Sequence, residues 1–314
     1  MSAEEADCFV AACGKSSQPI RLLRCFHFAC ALHSIFFCTH FHQVVGLLRC
    51  RSRKILTTDI TEYMIDNCFV MGICDNIENI RKELPSGVKL VAVSKFHPVE
   101  ALREAYDAGQ RLFGESRPQE MRDKVQQMPE DVQWHFIGHL QKNKLKYVLP
   151  YAAMLESVDS VELLDAIEQW CSGHPGFRPA GAEDSGNGEM GSVTSRVNVL
   201  LECHIAREET KQGFTPEEAL AVLTGETRWP HIRFCGLMGM ATNTDDESVI
   251  RSDFSKLLAL NVSLQPMVGI CPNLTQDFRE LSFGMSDDYK IAASMGATIV
   301  RIGTLIFGER EYCL

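Results

Sequence analysis

"GVKLVAVSKFHPVEALREAYDAGQRLFGES", residues 87–116, sets the architecture. The run Leu90–Val93 is continuously apolar, as in a parallel strand buried on both faces, rather than alternating like a half-exposed one. "PVEALREAYDAG" follows with helical spacing, Pro98 in its first turn and Gly109 as its stop. "RLF" at 111–113 opens a second strand. Strand, helix and strand in this order form a right-handed parallel βαβ unit.

The same grammar extends both ways. Upstream, "DNIENIRKELP" predicts a short amphipathic helix capped by Asp75 or Asn76, with Pro85 just past its end. Downstream, apolar runs recur at 133–138, 153–157, 197–203, 232–238, 279–283 and 298–302. Helical patterns separate them; in "TPEEALAVLTG", Thr215 caps, Pro216 takes the first helical position and Gly225 lies past the end. With 89–94 and 111–113 this predicts eight strands, each of the first seven followed by a helix-like segment. That is the pattern of an α/β fold of the closed (β/α)8 TIM-barrel type. A doubly wound open sheet would carry a glycine-rich first turn, and no GxGxxG follows strand one.

Two segments break the pattern. Residues 172–195, "SGHPGFRPAGAEDSGNGEMGSVTS", are Gly/Pro/Ser-rich and predict a flexible insertion. It falls in a helix-to-strand loop, on the face away from the usual barrel site, so it is expected to be functionally inert. Residues 1–65 differ in composition from the rest and are read as a poorly ordered extension. A targeting leader and a metal site from Cys25, His27, Cys30, Cys38, His40 and His42 are the competing readings; the histidine and cysteine spacing fits no standard zinc pattern. The barrel domain is expected over residues 75–310.

With 45% hydrophobic and 23% charged residues, the 314-residue chain has an ordinary globular composition. Its net charge of -10 disfavours nucleic acid as a partner. No apolar run reaches the roughly 18 residues that a membrane span needs. Of the thirteen cysteines, Cys171, Cys203, Cys235, Cys271 and Cys313 follow no paired spacing and read as reduced thiols. A cytoplasmic monomer is expected, or a mitochondrial protein if residues 1–65 act as a leader.

Barrel chemistry sits at the C-terminal ends of the strands. Lys95 stands there, after strand one. Among Val91, Val93 and Phe96 it reads either as a desolvated, nucleophilic amine suited to a Schiff base or as a lysine that snorkels to solvent. After strand seven, "GMSDD" places Ser286 at a helix N-terminus, as a plain cap or as an anion ligand. After strand eight, Gly303 and Thr304 make either an ordinary turn or the second half of a phosphate cradle. Arg301, inside the apolar strand "TIVRIG", needs a partner: a carboxylate, or the ring nitrogen of a cofactor. An inward lysine beside an anion cradle points to a phosphate-bearing aldehyde cofactor.

The pieces "VAVSK", "FGES", "WHFIGHLQKNK", "GLMGMAT", "LSFGMSDD" and "VRIGTLIFGER" together resemble the pyridoxal phosphate homeostasis protein family, over about residues 75–310. The resemblance implies a barrel similar to the alanine racemase N-terminal domain. It implies pyridoxal 5'-phosphate as cofactor, with Lys95 forming the aldimine. Ser286, Gly303 and Thr304 are implied as phosphate contacts, with Arg301 near the pyridine nitrogen. Ser116, His139 and Met238 lie in matched pieces and complete the expected cofactor-binding set. His135 and His139 are also readable as core histidines. The chain departs from the family pattern at Ser116, where Asn is usual, at Cys203–Ile205, where "VNI" is usual, and at "TKQG", which keeps Lys211 and Gly213.

The resemblance implies a carrier that buffers and delivers the cofactor to acceptor enzymes, with no catalytic residue and no metal. An amino-acid racemase is the alternative. It needs two positioned bases and a second domain, and only ten residues follow Thr304. A Schiff-base aldolase acting on a phosphorylated sugar is a weaker reading, because its lysine usually stands on a later strand.

Overall fold

The computed structural model describes residues 72–180, 196–208, 212–226 and 228–309. The extension at 1–65, its leader and metal-site readings, and residues 181–195 of the insertion lie outside them.

The first βαβ unit forms as its pattern predicts. Strand β1 (Lys89–Val93) leads to α2 (Val99–Asp107) and β2 (Leu112–Glu115), preceded by α1 (Ile73–Glu83). Then come α3 (Pro118–Val125), β3 (Gln133–Phe136), a 3₁₀ helix (Lys142–Tyr147), β4 (Ala152–Val158) and α4 (Val161–Ser172). The second half is β5 (Val197–Cys203), α5 (Pro216–Thr224), β6 (Ile232–Gly239), α6 (Glu247–Leu264), β7 (Glu280–Ser282), α7 (Tyr289–Ser294), β8 (Ile299–Ile302) and a one-turn α8 (Thr304–Phe307). All neighbouring strands pair in parallel, and β1 pairs with β8 to close the barrel.

One expectation needs correction here. Helix α1 starts at Ile73 rather than after Asp75, because the Ile73 amide finds an acceptor in Glu104 of α2, 3.2 Å away. The helix-like segment after β3 is a 3₁₀ helix. The cap at Thr215 forms as expected: its hydroxyl accepts from the Glu218 amide while the Glu218 side chain accepts from the Thr215 amide.

Side chains divide into two layers. Leu90, Ala92, Phe113, Phe136, Val199, Leu201, Leu237, Leu281, Phe283 and Val300 pack outward, under the helices. Val91, Leu200, Cys235, Met238 and Ile299 form a separate cluster inside the barrel. The two sets alternate along β1, β5 and β8, as the pleat requires. Gly236 is needed at its position: its φ is 155°, and a Cβ there would lie 1.8 Å from the Glu280 carbonyl oxygen.

The start of the insertion folds back on α4, with Phe177 edge-on to Trp170 and His174 stacked on the same indole. The described cysteines carry no disulfide: Cys171, Cys203 and Cys235 are buried, and Cys74 is exposed. Burial pushes all three buried thiols up to about 12. Among the described residues, no helix is long and apolar enough to cross a membrane and no group of side chains has the make-up of a metal site.

Candidate functional site

Lys95 is carried on a tight turn at the end of β1. The Ser94 carbonyl accepts from the His97 amide at 3.1 Å, which makes Lys95 the second residue of the turn and Phe96 the third. Phe96 has φ 70°, the left-handed conformation of the third position of a type II turn and a strained one for a bulky residue. Neighbouring groups hold it there. Its amide donates to Glu120 at 2.6 Å, and the Arg117 guanidinium lies 4.1 Å over its ring. Beneath the turn, buried Lys124 donates to the Ser94 carbonyl, to Glu115 and to Glu120, each at 2.7 Å. The Ser94 hydroxyl donates to Glu115 at 2.6 Å. Burial raises the Glu115 pKa, and Glu120 adds to this, against the pull of Lys124 and Ser94. Lys95 itself is half-buried.

The loop after β8 meets this turn. Gly303 faces Val93: a Cβ there would lie 3.1 Å from the Val93 carbonyl oxygen. His97 stacks on Phe307 of α8, with ring centroids 4.9 Å apart. Gly303 caps α8 by accepting from the Ile306 and Phe307 amides at 2.9 Å, and exposed Thr304 opens the helix. The lysine turn and the glycine–threonine step are thus neighbours. The placement expected for Ser286 is corrected. It lies in a turn before α7, and the cap position is Asp288, which accepts from the Met285 amide at 2.5 Å and closes the turn. Burial raises the Asp288 carboxyl despite that hydrogen bond.

Below the mouth lies a buried polar floor. Arg301 is 4% exposed and donates to the Ser282 hydroxyl at 2.5 Å and to the Gly239 carbonyl at 3.2 Å. Its guanidinium stands 3.6 Å from Glu156. Glu156 also accepts from His135 and from Ser282, both at 2.5 Å. Of the two partners considered for Arg301, the chain supplies the carboxylate. Burial alone would raise Glu156, but His135, Arg301 and Ser282 outweigh it and hold the carboxyl below its ordinary value.

On the opposite wall, His139 is half exposed and pairs through Nδ1 with Asp159 at 2.9 Å. Glu202 lies near them at the end of β5, 8% exposed. Burial, with Asp159 adding to it, pushes Glu202 up to about 7; Arg301 and His139 pull the other way. Ser116 follows β2 with its backbone pressed against Gly138, where a Cβ would lie 2.3 Å from the Ser116 carbonyl oxygen. Met238 is fully buried in the inner cluster, below the mouth.

Sequence reasoning missed Glu156, Ser282, Asp159, Glu202 and the Lys124 cluster. The signal that singled out Arg301, a charge inside an apolar strand, was also present in "AMLESV" and "VNVLLEC". A cavity of about 360 Å³ lies elsewhere, beside the N-terminal ends of β1 and β2. Its two arginines are tied to main-chain carbonyls: Arg81 to Ala108 and Gly109, Arg111 to Tyr106 and Gln110. They leave that depression without a charged group poised for chemistry.

The closed eight-stranded parallel barrel places the chain in the alanine racemase fold class. The family described as "Alanine racemase, N-terminal domain" matches residues 72–311. Curated relatives named "Pyridoxal phosphate homeostasis protein" include that of Schizosaccharomyces pombe, 38% identical over 71% of this chain and 84% of the relative. The Aquifex aeolicus protein is 35% identical over 71% and 88%, and the Homo sapiens protein 38% over 71% and 77%. The chain belongs to the pyridoxal phosphate homeostasis protein family. Among solved structures, PipY of Synechococcus elongatus without PLP superposes with a TM-score of 0.64, at 30% identity, over 75% of this chain and 100% of its own. The structure of PipY with PLP bound gives 0.60 at the same identity and coverage. Alanine racemase from E. faecalis, at 17% identity and a TM-score of 0.54 over 76% of this chain and 57% of its own, shares the fold.

Proposed function

We propose that this chain binds pyridoxal 5'-phosphate through Lys95, holds it at the barrel mouth and releases it to acceptor enzymes, without turning over a substrate. The cofactor supplies a carbonyl carbon that bonds a primary amine reversibly. Lys95 provides the amine. Gly303 and Thr304, with Ser286 from the neighbouring loop, hold the phosphate, and Arg301 faces the ring nitrogen from a floor fixed by Glu156 and Ser282. Ser116, His139 and Met238 belong to the same expected set.

One observation carries the reading: the end of β1 meets Gly303 at Val93, and the turn bearing Lys95 meets α8 through His97 on Phe307, so one small molecule can reach both. The site also fits the group chemically. Gly303 lets the last strand's end lie close against Val93, and at the exposed start of α8 the first amides have no acceptor within the helix.

Adding pyridoxal phosphate to the purified protein should produce an imine absorbance band. The band should be absent from Lys95→Ala, and borohydride reduction should fix the adduct to Lys95 by mass spectrometry. Amino-acid racemase turnover in the same sample should stay at background. Turnover that depends on Lys95 would replace the carrier reading with the enzyme reading.

A further inference from the structure

Glu202 differs from the other buried carboxylates of the barrel. Glu115 receives Lys124 and Ser94; Glu156 receives His135 and Ser282; Glu280 receives Lys89 and Thr298; Asp253 receives Thr242 and Lys256. Glu202 is 8% exposed, and among the described residues its carboxylate takes part in no hydrogen bond and no ion pair. A carboxyl so placed is costly unless a donor reaches it.

Its direction follows from the strand. Leu200, two residues earlier, belongs to the inner cluster, and Leu201 belongs to the outer layer. Alternation puts Glu202 on the inner side, one step nearer the mouth than Leu200. The charged groups within its electrostatic reach are Asp159, Arg301 and His139. Both cations are already engaged, Arg301 with Glu156 and Ser282, His139 with Asp159. Among the described residues no group donates to Glu202, whose oxygens are not among the fully buried unpartnered atoms and so open on the mouth. Val158 pairs with Leu201, which sets Asp159 beside Glu202, and two neighbouring acids favour a cation.

We propose that Glu202 and Asp159 form a subsite for the ammonium group of a primary amine at the barrel mouth. The choice of a primary amine among cations rests on the reading above, because that is the group which exchanges with a lysine-bound carbonyl. Neither acid needs to touch the cofactor. The subsite would gather amines beside it and favour its release to them.

Two arms test this with the full chain. In the first, the protein without cofactor carries ¹³C-labelled glutamate side chains and is titrated with ethylammonium chloride, with sodium chloride at equal ionic strength as the control. The Glu202 signal, assigned by its loss in Glu202→Gln, should move saturably with ethylammonium alone. Asp159→Asn, which keeps Glu202, should weaken that binding by about threefold or more. A signal that ethylammonium moves no more than sodium does, or an affinity unchanged in Asp159→Asn, overturns the proposal.

In the second arm, the protein loaded with pyridoxal phosphate is challenged with ethylamine, an ammonium ion at pH 7, and with methoxyamine, neutral at that pH. The ratio of the two release rates should fall by about tenfold in Glu202→Gln. An unchanged ratio overturns the proposal. So does a comparable loss of cofactor affinity in Glu202→Gln with no amine present, since the carboxyl would then serve the cofactor itself. If the wild-type chain forms no imine band, the reading under "Proposed function" fails, while the first arm still decides the ammonium subsite. Should Glu202→Gln not fold, Asp159→Asn is used in both arms.

Discussion

Lys124 donates to the main-chain carbonyl of Ser94 at 2.7 Å, and that carbonyl opens the turn on which Lys95 stands. The same ammonium bridges Glu115 and Glu120, so one buried cation joins β1, β2 and α3 beneath the site. Lys124→Met strands these acids. It should cost about 3–5 kcal/mol in chemical denaturation and slow imine formation at Lys95. Adding Glu115→Gln should recover part of the stability by removing the buried acid. A single-variant loss well under about 1 kcal/mol would show that the cluster does not hold the turn.

The pair of Arg301 and Glu156 makes stability depend on acid. Glu156 is held below its ordinary value of 4.5, so its contribution is present above that pH and is lost as pH falls through the folded value. The stability gap between wild type and Glu156→Gln should therefore be widest at neutral pH and close below about pH 4.5. Thermal melts of both proteins across that range measure it. A gap that stays constant down to strong acid would mean that the carboxylate is not favoured by its partners.

Glu202 has the opposite sign. Its folded value is raised from 4.5 to about 7, so its contribution is fully present below 4.5 and is lost as pH rises through about 7. Relative to Glu202→Gln, the wild type should lose up to about 3 kcal/mol over that interval. Parallel stability curves for the two proteins between pH 4 and pH 8 would contradict this environment for Glu202.

Gly138 is packed too closely for a side chain. A Cβ there would lie 2.3 Å from the Ser116 carbonyl oxygen and 2.7 Å from its Cα, both main-chain atoms. Gly138→Ala should destabilise by about 1–3 kcal/mol and displace Ser116. If Ser116 borders the cofactor, the imine band should also shift or weaken in this variant. A normal melting curve would show that the two loops separate at little cost.

The barrel was legible because its strands and helices are specified locally. The run at 197–203 is found with those limits, and the others shift by a residue or two. Parallel strands buried on both faces read as apolar blocks, and Thr215, Pro216 and Gly225 mark the start and end of α5 by chemistry that needs no distant partner. Helix α1 departs from its reading because its first amide is satisfied by Glu104, thirty-one residues away, which no local pattern encodes. Ser286 departs because the carboxyl of Asp288 closes the turn first.

By itself, the sequence determined the order of the eight strands, the position of Lys95 at the end of the first and the glycine–threonine step at the end of the last. These follow from hydrophobic periodicity and turn residues, which act over a few positions along the chain. Only the tertiary structure decided which groups face one another inside the closed sheet: Glu156 against Arg301, Lys124 beneath Ser94, and Glu202 beside Asp159. Those relationships depend on register and burial across strands far apart in sequence. A charge seen in the chain names a need for a partner, and closure of the barrel decides whether the chain supplies one.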